Sequence, residues 1–163
     1  MRRFLILAVL SVSGALLVPS VASAALRFEG RTSQCPPEQA SCYAVNILLP
    51  SSLAKVSRFE VFWEAGCNSG NKITNVSTLA TNLTLSRALK FRGAGDYAIN
   101  LEDPARPATV GLKGNVSATF SGKVRRNGNG SGAFTAGVVM INAAGREVDR
   151  CDTGAVTWRA NLR

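Results

Sequence analysis

The chain contains no histidine. That removes Ser-His-Asp and Cys-His nucleophilic catalysis and every imidazole-based metal site. Its four cysteines, Cys35, Cys42, Cys67 and Cys151, include no C-x₂₋₄-C pair, so neither a zinc ligand set nor a C-x-x-C redox pair can be drawn from them. No D-x-D-x-D-G calcium loop occurs around Asp96, Glu102 and Asp103. Gly93-Ala-Gly95 and Gly128-Asn-Gly130 precede no helical pattern and lack a Walker lysine, so they read as turn glycines and not as phosphate loops. Nothing calls for a cofactor.

Aromatics are scarce at 7% of residues, which limits sugar stacking to Tyr43, Trp63, Tyr97 and Trp158. Both tryptophans fall on the apolar phase of their segments, which favours the core; an exposed one would make carbohydrate binding credible. Paired-carboxylate hydrolysis is poorly served. Glu60 and Glu64 share one strand face, and at four residues' separation they sit about 13 Å apart, beyond the ~5–9.5 Å that glycoside cleavage uses. Asp149 and Asp152, flanking Cys151, read as turn or strand-end residues.

Acids are also few, 10 against 19 bases, for a net charge of +9. The bases are scattered, and no basic run reaches five residues, so nucleic acid is not an expected partner. The densest cluster is Lys123, Arg125 and Arg126, the candidate contact for an anionic wall polymer or glycan; Arg87, Lys90 and Arg92 form the next.

The N-terminus carries the one long apolar run. Arg2 and Arg3 precede Phe4 to Val18, Pro19 interrupts, and Ala22-Ser23-Ala24 offers a small-x-small cleavage site. A retained anchor would need about 20 apolar residues, and Ser11, Ser13, Gly14, Pro19, Ser20 and Ser23 dilute the run. The expected division is therefore a cleaved signal peptide, 1–24, and a single domain, 25–163, secreted or envelope-associated, with no transmembrane segment once the signal is gone. Loss of Arg2 and Arg3 lowers the net charge from +9 to +7. An even cysteine count in an exported chain predicts two disulfides; of three connectivities, the reading favours Cys35–Cys42 and Cys67–Cys151.

The rest of the chain alternates with period two. Leu26, Phe28 and Gly30; Tyr43, Val45, Ile47 and Leu49; Phe59, Val61, Trp63 and Ala65; and Val116 to Val124 each place apolar residues on one face. Asn127 to Gly132 predicts a turn, answered by Phe134, Ala136, Val138 and Met140, and Val156, Trp158 and Ala160 close the series. Residues 79–91 come nearest to a helical period, through Leu79, Leu83, Leu85 and Leu89, without sustaining it. Short strands with regular turns predict an all-β antiparallel sandwich, jelly-roll-like.

F-E-G-R-T-S-Q at 28–34, W-E-A-G-C-N-S-G at 63–70, F-S-G-K-V at 120–124 and C-D-T-G-A-V-T-W-R-A at 151–160 resemble a group of small exported actinobacterial proteins. That group shares a G-x-T-S-Q opening and a closing C-x-[ST]-G-x-V-x-W-x-A strand. The resemblance implies a β-sandwich with the Cys67–Cys151 bridge and carries no assigned activity. Functionally the expectation is a monomeric, non-enzymatic binding or structural module. The alternatives are a carbohydrate-binding or carbohydrate-active jelly roll, and a hydrolase inhibitor presenting 34–42 or 125–132.

Overall fold

The computed structural model describes residues 25–36, 38, 39, 42, 44–79 and 82–163; the leader expected at 1–24, and Tyr43, lie outside them. The chain runs through β1 (Ala25–Thr32), β2 (Ala44–Pro50), β3 (Lys55–Val56), β4 (Arg58–Cys67), β5 (Lys72–Leu79), β6 (Leu83–Thr84) and β7 (Lys90–Asn100). A 3₁₀ turn at Pro107–Thr109 precedes β8 (Lys113–Val124), β9 (Asn129–Ile141), β10 (Glu147–Asp152) and β11 (Val156–Leu162). No helix among the described residues is long and apolar enough to cross a membrane. Residues 79–91, the nearest to a helical period, instead contain β6 and the start of β7.

Nine strands form one antiparallel sheet that doubles over into a sandwich, while β3 and β6 pair separately. One layer is β5-β4-β2-β1 and the other is β11-β9-β8-β7, and the β1–β11 pairing carries hydrogen bonding from one to the other. The inward phases of both layers are apolar. The Phe59 ring of β4 stacks on Phe120 of β8 at 4.9 Å and lies 5.7 Å from the Trp158 ring of β11. Burying each such side chain contributes about 1.5–3 kcal/mol, and the seam ties the two layers together.

The long strand β9 is shared along one edge: its first half pairs with β11 and its second with β10. Where β10 ends and β11 has not begun, Thr153 holds the ladder. Its N–H donates to the Ala136 carbonyl (3.0 Å), and its hydroxyl accepts the Ala136 N–H (2.9 Å). A similar repair occurs on β4, whose edge is paired to β2 at one end and to β10 at the other. Between them the Gln34 carboxamide imitates a peptide unit, donating to the Glu64 carbonyl (2.6 Å) and accepting the Glu64 N–H (3.0 Å).

Both expected disulfides are present, Cys35–Cys42 and Cys67–Cys151. The second joins directly opposed residues of β4 and β10.

Two glycine expectations are corrected. The predicted turn at Asn127–Gly132 contracts to residues 125–128, closed by Gly128 N–H to the Arg125 carbonyl (3.0 Å). Gly130 and Gly132 belong to β9, on its inward phase. A Cβ on Gly132 would lie 2.5 Å from the Trp158 ring and 2.0 Å from the Ser121 carbonyl oxygen, so this glycine serves close approach and not chain reversal. Gly93 and Gly95 likewise sit within β7, where a Cβ on Gly93 would meet the Phe120 ring at 2.5 Å.

Candidate functional site

The tryptophans are not sugar platforms. Trp63 is 0% exposed and Trp158 1%, so both lie in the core as their apolar phase indicates, and the sugar-stacking alternative is corrected. The Trp63 indole N–H donates to the Ser77 hydroxyl (2.7 Å), and Ser77 in turn bonds the Tyr97 hydroxyl, joining β4, β5 and β7. Burial pushes the Tyr97 phenol above its ordinary value, and the bonds to Ser77 and Trp63 counter this only in part. Trp158 Nε1 is buried with no partner among the described residues.

The carboxylates are occupied by neighbours. Glu60 pairs with Arg58 (2.5 Å) and Glu64 with Lys72 (2.8 Å). Asp149 accepts from the Ser69 hydroxyl (2.5 Å), which holds its carboxyl below the ordinary range, and Asp152 accepts the Gly154 N–H (2.5 Å). Glu102 and Asp103 accept the Gly111 and Ala105 N–H groups and so shape the loop after β7. Cys67, Asp149 and Cys151 place ligand-type atoms within 4.8 Å of one another, but both sulfurs are spent in the disulfide and offer no thiolate to a metal.

Positive charge is where the fold adds to the sequence. The two basic clusters meet in space: Lys123 of β8 stands directly opposite Lys90 of β7, and Arg92 opposite Ser121. The row continues outward across the layer. Lys123 faces Ser131 of β9, Ser131 faces Arg159 of β11, and Arg159 faces Arg31 of β1. Lys90, Lys123, Arg159 and Arg31 are all exposed and lie on one crosswise row of the outer surface, which turns at the β1–β11 corner to reach Arg31. At about 4.8 Å per strand step the four steps span roughly 19 Å.

None of these four forms an ion pair among the described residues. Glu29, two residues before Arg31, is held by Arg27 (2.7 Å) and Arg163 (3.2 Å). The small residue Ser131 lies within the row, and Ser121 and Ala133 flank it on the outward phase. Lys90, Arg92 and Lys123 border a groove of about 710 Å³ with Thr84, Ser86 and Ser121. Of the expected polyanion contacts, Lys123 lies in the row, Arg125 continues its outward phase toward the hairpin, and Arg126 occupies the turn itself, both exposed.

Sequence reasoning missed Arg31 and Arg159. Each lies in an alternating strand as an ordinary outward residue, and only the β1–β11 and β9–β11 registers align them with Lys123. No protein-family model matches the chain, and no curated protein matches it.

Proposed function

We propose that the protein is a secreted, non-enzymatic binding module that lays a linear polyanion across the outer face of β7, β8, β9, β11 and β1. The observation that carries this reading is the row Lys90–Lys123–Ser131–Arg159–Arg31, which contains no carboxylate. Like charges set directly opposite one another across strands destabilise a sheet. Two such oppositions in one row, Lys90 to Lys123 and Arg159 to Arg31, stand against the local rule, and such departures cluster at functional sites. A polymer bearing closely spaced phosphates or carboxylates would relieve both and release its counterions. The signal-like leader and the paired cysteines fit a protein that works outside the cytoplasm, where wall polymers of this kind are found.

The test is co-sedimentation with purified cell walls and fluorescence anisotropy with soluble linear polyphosphate, across a sodium chloride series. Binding is expected at low salt and falls steeply as the screening length shrinks toward about 8 Å at physiological ionic strength. Lys123→Glu and Arg159→Glu reverse charges inside the row and abolish binding to both probes. Arg146→Glu, exposed in the β9–β10 turn, leaves it largely intact. No binding at low salt, or equal losses from all three reversals, overturns the reading.

A further inference from the structure

The β7 strand ends its layer, and no strand among the described residues pairs with its outer edge. The hydrogen bonds from Val124 N–H to the Leu89 carbonyl (3.1 Å) and from Leu101 N–H to the Leu112 carbonyl (3.1 Å) set the phase of the β7–β8 ladder. Odd-numbered residues of β7 bond β8; even-numbered residues turn N–H and C=O away from it. At Lys90 both outward groups are taken, the N–H by the Ser86 hydroxyl (3.1 Å) and the carbonyl by the Ser86 N–H (2.9 Å). From Arg92 to Ala98 the outward groups have no partner among the described residues. The register runs unbroken from Lys90 to Asn100, with no bulge, and the strand holds no proline. An edge this long and regular, with neither bulge nor proline, is a template for another strand whose charges match its own.

We infer that this edge pairs antiparallel with the β7 edge of a second copy of the chain, about a two-fold axis through Ala94. The argument is charge complementarity. An axis at Ala94 sets Arg92 opposite Asp96 of the other copy, twice over, as a self-complementary interface requires. Both side chains lie exposed on the outer phase, and neither forms an ion pair among the described residues. The outward peptide groups of Arg92, Ala94 and Asp96 then fall into three narrow pairs, each exchanging two backbone hydrogen bonds. Other axes fit worse. At Gly93, Lys90 would face Asp96, but the outward groups of Lys90 are already bonded to Ser86 and Arg92 would face Ala94. At Gly95, Arg92 would face Ala98 and the charges would lose their opposed partners. At Asp96, two carboxylates would stand directly opposite one another. Odd registers would set inward residues against outward ones. The two-fold lies perpendicular to the sheet, so both copies present Lys90 and Lys123 on the same side.

Sedimentation of the disulfide-intact protein, without polyanion and at physiological salt, tests this independently of the binding reading. The mass is expected to rise from monomer toward dimer as concentration increases to about 1 mM, the weak end of specific association. Arg92→Asp and Asp96→Arg each turn two attractions into two repulsions and weaken the dimer by about tenfold or more. The double variant Arg92→Asp/Asp96→Arg restores it. Ala94→Pro removes the central edge donor, which an edge strand tolerates, and gives a monomer with an unchanged circular-dichroism spectrum. A monomer at every wild-type concentration, assemblies larger than a dimer, a dimer indifferent to the single reversals, or a double variant that stays monomeric overturns the inference.

Discussion

Removing the Cys67–Cys151 bridge will cost more than removing Cys35–Cys42, by an amount that follows from where each sits in the chain. The bridges span sequence separations of 84 and 7. In the chain-entropy model the long closure is worth about 4.5 kcal/mol at 25 °C and the short one about 2.4 kcal/mol, so the two losses differ by about 2 kcal/mol. Against a typical domain stability of about 5–15 kcal/mol the larger loss is a substantial fraction. Cys67→Ala/Cys151→Ala and Cys35→Ala/Cys42→Ala would be unfolded in urea, followed by the fluorescence of Trp63 and Trp158, both buried. The first pair should also steepen the denaturant slope more, because its unfolded chain is released over a longer span. Equal losses, or a larger loss from the short loop, would show that native contacts and not unfolded-state restriction set the bridges' worth.

Gly132→Ala forces a methyl to within 2.0 Å of the Ser121 carbonyl oxygen and 2.5 Å of the Trp158 ring, and should destabilise by about 3 kcal/mol. Gly66→Ala, with nothing within 4 Å of its Cβ, should stay within about 0.5 kcal/mol, and similar urea midpoints for the two would refute the steric account. Tyr97 has its phenol raised by burial, so the folded state holds that proton more tightly than the unfolded chain. Its stabilisation is present in full below about pH 10, the ordinary phenol value, and is lost as pH rises through the raised folded value. Urea midpoints from neutral to alkaline pH should fall more steeply for the wild type than for Tyr97→Phe above that point; parallel curves would remove the linkage.

Strands were legible where apolar residues alternate without interruption. Phe59, Val61, Trp63 and Ala65 on β4, and Val116 to Val124 on β8, lie on the inward face as the period requires. Glycine misled, because the same residue serves two needs. Gly130, Gly132, Gly93 and Gly95 resemble turn punctuation, yet each lies within a strand, and at Gly93 and Gly132 the neighbouring ring leaves no room for a Cβ. The disulfides were accessible from oxidising context and loop length. The basic row was only half accessible: Lys123 and Lys90 stand out as local clusters, whereas Arg31 and Arg159 are 128 positions apart and meet through strand register alone. The repairs by Gln34 and Thr153 have no sequence signal, since a side chain substituting for backbone is visible only once the neighbouring strands are placed.

The pairing of β1 with β11 sets a timetable for folding. Thr32 lies opposite Trp158, and Phe28 opposite Leu162, so the corner that joins the two layers cannot form until residues 158–162 are available. A chain delivered N-terminus first holds β1 with one edge bare while everything between is still arriving, and all-β domains built on pairings this distant fold slowly, on the order of milliseconds to seconds. During that interval β1 is a bare template for any extended chain nearby. Arg27, Glu29 and Arg31, the charged residues on its outward phase, are well placed to keep such company away until the last strand docks.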